Sequence, residues 1–192
     1  KVLRYEDAID HVWPAPPEQA RFSYVGQLTG ENDFKSGKDN ANKFVKAVKW
    51  LVGGLLGKAK PEQLQRPQSG LVDSAGRIYV SDVNRRAIYV FDKVEGKLKI
   101  WEWASRHERF LAPIGMGIHG DRIYIADAEL GYVSVLDLGS GEPVTTLGRN
   151  LQRPTGLAID HDKQIIYVAD TRAHNIGVFD LQGELLRSIG HY

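Results

Sequence analysis

The chain has 192 residues and no cysteine. That excludes disulfides, thiolate zinc sites and cysteine nucleophiles. It leaves the compartment open, because exported and cytosolic proteins alike can do without the residue. There is no charge surplus either. The formal net charge is +1, so bulk electrostatics give no sign of a nucleic-acid partner. No apolar run reaches the length of a membrane-spanning helix, and no signal peptide is visible. The first residue is Lys1 rather than methionine, which sets the expectation of a processed or trimmed chain. Several linear catalytic signatures are also missing: a Walker loop, H-E-x-x-H and G-x-S-x-G. This weighs against an enzyme, although a site assembled across several elements needs no linear motif.

What is present is repetition. The phrase "IYVSDVNRRAIYVFD" at 78–92 returns as "IYIADAELGYVSVLD" at 123–137 and as "IYVADTRAHNIGVFD" at 166–180. Each copy opens Ile-Tyr and carries two aspartates with nine residues between them. The surrounding units also align, starting at Arg66, Ala112 and Arg153. Equivalent positions recur roughly every 40 to 45 residues, the period of a four-stranded propeller blade. Each unit holds four short runs rich in Val, Ile and Tyr, separated by Gly, Asp, Asn or Lys turns. In the third unit the runs lie near Gly156–Asp160, Ile165–Ala169, Ile176–Phe179 and Leu185–Ile189. Strands this short joined by tight turns form antiparallel meanders, since a parallel crossover needs about a dozen residues or more. A meander repeated radially is a β-propeller blade, and the fold class read from the sequence is all-β.

The expected organisation is an N-terminal extension over 1–65 and blades over 66–192, at 66–104, 112–148 and 153–190. Residues 1–21 are proline-rich and read as extended chain. "FSYVGQLTG" at 22–30 alternates like a strand, and 31–42 is a polar loop. A helix is expected over about 41–57. Phe44, Val48, Leu51 and Leu55 share one face of it, Lys43, Lys46 and Lys49 lie opposite, and Gly53-Gly54 weakens its last turn.

The string "RPTGLAID…IIYVADTRAHNIGVFD…LLRSIG" resembles the NHL repeat, and the three units over 66–190 look like part of a six-bladed NHL propeller. The second unit departs from the pattern, reading "AELG" where the others carry an Asn/His-type turn. "HVWPAPPEQARFSYVGQLTG" at 11–30 resembles the leader of exported bacterial proteins with this propeller. That resemblance implies a periplasmic or outer-membrane-associated setting. Three blades and one strand do not close a ring of the usual four to eight. A second copy of the chain, another protein partner or further sequence is therefore expected to complete it. A two-fold axis would need only one self-complementary surface, whereas an open half exposes sheet edges.

Four sets of residues are candidates for chemistry. The pairs Asp82/Asp92, Asp127/Asp137 and Asp170/Asp180 read as Asx-type ties at strand ends, because a single active site does not need one residue in every blade. Asp73, His119 and Asp160 fall at one offset, where the first strand of each unit ends. They form either a channel-rim site for calcium or zinc, as in a metal-assisted lactonase or lyase, or plain turn residues. Arg66, Arg85, Arg86, Arg149, Arg153, Arg172 and His174 gather on one loop face, which suits an acidic protein segment, a phosphate or solvent. Nucleic acid is disfavoured there, since no aromatics interleave the arginines and Glu129 interrupts them. The helix, with Lys43, Lys46, Lys49 and Trp50, either lies on an anionic membrane or packs on the blades. The reading that follows is a non-catalytic protein-binding or scaffolding propeller without a cofactor. The alternatives are the metal-assisted enzyme and a structural subunit that completes a ring.

Overall fold

The structure is a computed structural model that describes residues 12–24, 26–34, 62–92 and 95–190. The helix expected over 41–57, with Lys43, Lys46, Lys49 and Trp50, lies outside the described residues, as do 1–11. Among the described residues no helix is long and apolar enough to cross a membrane. The chain divides into two compact units, Lys1–Gln63 and Leu64–Tyr192.

In the first unit, β1 (Val12–Trp13) and β2 (Phe22–Ser23) pair antiparallel, Val12 with Ser23 and Trp13 with Phe22. The strand expected over 22–30 is thus cut short. The cause is local. The Asp33 carboxylate takes the amides of Thr29 at 2.6 Å and Gly30 at 2.8 Å, which a strand would give to a ladder. Residues Glu31–Phe34 then close into a 3-10 turn.

The second unit is three four-stranded antiparallel meanders. Blade 1 is β3 (Pro67–Val72), β4 (Ile78–Asp82), β5 (Ala87–Asp92) and β6 (Lys97–Trp101). Blade 2 is β7 (Pro113–His119), β8 (Arg122–Asp127), β9 (Tyr132–Asp137) and β10 (Pro143–Leu147). Blade 3 is β11 (Pro154–Asp160), β12 (Ile165–Asp170), β13 (Asn175–Asp180) and β14 (Leu185–Ile189). Spatial order follows chain order in every blade. The recurring phrase is the second and third strands with the turn between them. The first strands β3, β7 and β11 are neighbours, with β7 in the middle.

Period-two alternation makes each blade two-faced, and the faces meet in two seams. In the first, Tyr79, Ile88, Val90 and Trp101 of blade 1 pack on Met116, Ile123, Ile125 and Leu136 of blade 2. In the second, Tyr124, Ala126, Val133, Val135 and Leu147 of blade 2 pack on Ile166, Val168 and Phe179 of blade 3. Neighbouring residues of β8 therefore serve opposite seams, Ile123 and Ile125 one, Tyr124 and Ala126 the other. A β-carbon on Gly115 would lie 2.4 Å from the Thr155 carbonyl oxygen, so β7 and β11 approach too closely for any side chain at that position.

Polar atoms also cross the seams. Ser81 Oγ donates to the Ile114 carbonyl at 2.8 Å while accepting the Ser69 amide. The Tyr79 hydroxyl lies within hydrogen-bond distance of both Asp73, at 3.0 Å, and the Leu138 carbonyl of blade 2, at 3.1 Å. Burial first, then that bond to Asp73, pushes the Tyr79 phenol well above its ordinary value.

Candidate functional site

Each blade begins with the same staple. Asp82 ends β4 and is fully buried. Its carboxylate accepts the amides of Gln65 and Arg66, the latter at 3.0 Å, and the amide of Arg85 at 3.0 Å. In return the Arg66 carbonyl accepts the Val83 amide at 3.2 Å. Asp127 repeats this with the amides of Leu111, Ala112, Glu129 and Leu130. Asp170 does so with those of Gln152, Arg153 and Ala173. The Arg153 carbonyl then takes the Thr171 amide at 3.1 Å. One buried carboxylate thus fixes both the chain entering a blade and the turn between its second and third strands. The second aspartates tie the following turn: Asp92 binds the Glu95 amide, Asp137 those of Gly139 and Ser140, and Asp180 those of Gln182 and Glu184. The Ser140 amide and hydroxyl hold the Asp137 carboxyl below the usual carboxylate range.

The staple presents the loop face. The turn residues are 83–86, 128–131 and 171–174, and the fourth position is left-handed in all three, with φ of +53° at Arg86, +73° at Gly131 and +55° at His174. Only the middle turn places glycine there. An L-residue in this region costs roughly 1–2 kcal/mol, and non-glycine residues held in it cluster at functional sites.

Of the arginines expected on this face, the structure brings two together. Arg153 and Arg172, with His174, Thr171 and Gln152 of the blade 3 entry and turn, and Ala128 and Glu129 of blade 2, line a pocket of about 540 Å³. Both guanidiniums are on exposed residues, and neither forms an ion pair among the described residues. Other arginines are committed: Arg77 to Asp73, Arg109 to Glu102, Arg122 to Asp137 and Asp121. Arg66 and Arg86, the blade 1 counterparts of Arg153 and His174, do not line this pocket, nor does Arg85, whose guanidinium donates to the Tyr89 hydroxyl at 2.9 Å. Arg149 stacks over the Tyr132 ring at 4.9 Å and donates to Thr146.

On the other end of the blades, Asp73, His119 and Asp160 each sit at the turn after a first strand, and they do not assemble. Asp73 accepts from the amides of Ala75 and Arg77 and from the Arg77 guanidinium at 2.7 Å. Burial opposes its ionisation, but these bonds outweigh it and hold the carboxyl below its ordinary value. Asp160 is held low chiefly by the Lys163 ammonium, 2.9 Å away. His119 meets a residue the repeats do not point to, His161. Their rings stack at 5.2 Å with Nδ1 atoms 3.0 Å apart, so one nitrogen carries the proton that the other accepts. Among the described residues no three metal-ligating side chains come together. Gly115, Gly117 and Gly120 have the spacing of a dinucleotide-binding loop, but they lie in β7 and its following turn rather than between a strand and a helix, so no phosphate cradle exists.

The NHL repeat family model matches residues 151–179, which span the blade 3 entry, β11, β12 and most of β13. Propeller-type solved structures align over most of the chain. The chain has a β-propeller-type fold and carries an NHL repeat in blade 3. Hydrazine synthase of Kuenenia stuttgartiensis is 22% identical with a TM-score of 0.55, over 70% of this chain and 38% of that one. A catalytically inactive variant of virginiamycin B lyase from Staphylococcus aureus, with quinupristin, is 14% identical with a TM-score of 0.55, over 70% and 46%. A computationally designed protein is 19% identical with a TM-score of 0.53, over 69% and 42%. These likenesses concern the fold, and the chain spans less than half the length of each structure. No curated protein sequence matches it significantly. The NHL match spans the Asp170 staple together with Gln152, Arg153, Thr171, Arg172 and His174 of the pocket.

Proposed function

We propose that this NHL protein is a non-catalytic binding platform that holds an acidic protein segment at the Arg153–Arg172–His174 pocket. One observation carries the reading: two arginines without an ion-pair partner among the described residues line one pocket, opposed there only by Glu129. Arginine presents a planar fork that suits carboxylates, and the Asp170 staple fixes the backbone that carries it. The expected setting is the bacterial envelope. We further propose that a second copy or another chain covers the exposed apolar residues Ile176, Leu186 and Ile189 of blade 3.

The test uses the full chain and a fluorescein-labelled oligo-glutamate peptide followed by anisotropy. Binding that weakens with salt, and that the charge-reversed pair Arg153→Glu/Arg172→Glu abolishes without lowering the melting temperature, supports the proposal. Absence of binding at low salt, or equal binding by the reversed variant, refutes it.

A further inference from the structure

The two seams differ in how their outer ends are closed, and the second is left with a notch. Between blades 1 and 2 the linker runs over 102–112, and between blades 2 and 3 only over 148–153. The longer linker folds back on itself. Trp103 and Arg109 form a bridge, and the amides of Ala104 and Phe110 bind the carbonyls of Glu108 and Glu102. It buries Ala104 and Phe110 completely. Its Glu108 carboxylate accepts from the hydroxyl of Tyr132, the first residue of β9. An acidic group beside apolar side chains therefore already lies against the third strand of blade 2, where Ser134 is fully buried.

In blade 3 the matching strand β13 begins at Asn175, and Gly177 stands where blade 2 has Ser134. The short linker leaves a notch of about 390 Å³ whose apolar lining is Leu151, Ala173, Phe179 and Leu185, with polar residues, Arg149 and Asp170 among them, completing it. Gln152 lines both this notch and the Arg153 pocket. The turn 171–174 is the wall between them: Thr171, Arg172 and His174 line the pocket, and Ala173 lines the notch. A basic pocket and an apolar notch thus share one wall.

We propose that pocket and notch form one bipartite groove for an extended peptide in which carboxylates adjoin a single apolar side chain. The carboxylates meet Arg153 and Arg172, and the apolar side chain enters the notch against Phe179 and Leu185. Gln152, which lines both cavities, lies where the two halves of the peptide join. The occupant has the same two ingredients as the 102–112 linker, supplied from outside the chain. The inference rests on the reading of the Arg153 pocket and adds the second half of its ligand.

Three labelled peptides of equal length test it on the full chain: glutamates with Gly/Ser spacers, one phenylalanine with the same spacers, and the two combined. The combined peptide is expected to bind about tenfold more tightly than the acidic one. Leu185→Ser, at an exposed position, and Ser188→Phe, which fills the notch, are each expected to erase that advantage while leaving acidic-peptide binding unchanged. Far-UV circular dichroism and melting curves check that both variants fold. Equal affinity of acidic and combined peptides, or an advantage that survives both variants, overturns the groove and leaves the Arg153 pocket standing. Failure of the acidic peptide itself removes the pocket as well.

Discussion

The first seam is closed and the second is not, although both are built from the same repeat. At the first, the 102–112 linker covers the outer strands, and Tyr132 is only 3% exposed. Burial, then the bond to Glu108, lifts the Tyr132 phenol to about 12. At the second, the short linker leaves Leu185 54% exposed. The inner ends differ too. The first is clasped by Tyr79 reaching Asp73 and Leu138, the second by the His119–His161 pair. The difference teaches that the blade repeat sets the strands, while linker length decides which seam is core and which is open surface.

The largest effect on this contrast comes from the staple of blade 2, the blade that both seams share. Asp127→Ala leaves four amides of blade 2 without their acceptor and is expected to cost about 4–5 kcal/mol in urea unfolding. Phe110→Ala opens the closed seam, with an expected loss of about 3–4 kcal/mol and new binding of a hydrophobic dye. A loss below about 1 kcal/mol would show that the linker is a lid rather than core. Gly115→Ala strikes the other seam, where backbone blocks the β-carbon, and should cost about 2–3 kcal/mol.

Acid should weaken the first seam. Asp73 has a folded value below its ordinary 3.8. Its contribution is therefore complete above 3.8 and is lost as pH falls through the lower folded value. Asp73→Asn should be less stable than the parent at neutral pH and show a flatter stability profile between about pH 5 and pH 2. A variant with the parent's slope would remove Asp73 from the clasp. The smallest effect belongs to the groove: Arg172→Ala should change stability by less than about 0.5 kcal/mol, and thermal melts read that directly.

The strands were legible because alternation and turn residues are local. Runs expected near Ile165–Ala169 and Leu185–Ile189 appear as Ile165–Asp170 and Leu185–Ile189. The aspartates were legible as turn ties for the same reason. Their reach to the entering chain, as from Asp170 to Gln152 and Arg153, was not, since periodicity says nothing about partners that far away in sequence. His161 left no signal, because it stands one position beyond the repeat offset that marks His119. The seven-residue basic face resolved into a smaller pocket because proximity across blades depends on neighbours rather than on equivalent positions. Arg66 shares the register of Arg153 and Arg86 that of His174, but with Arg85 they lie at blade 1, away from the pocket between blades 2 and 3. The notch is a consequence of linker length, which a repeat alignment treats as a gap.

The staple at the head of each blade has a consequence for variation. Asp170 holds both the chain before Arg153 and the turn after itself, so residues 171–174 hang between two anchored points. The turn side chains stand clear of the seam beneath except in blade 2, where Leu130 packs against the first seam. "TRAH", "VNRR" and "AELG" are three fillings of one socket, each ending in the same left-handed step. Grafting one turn for another should therefore move recognition between blades while the stability of the array stays put. On the proposed reading, the chain carries its binding chemistry as a replaceable insert.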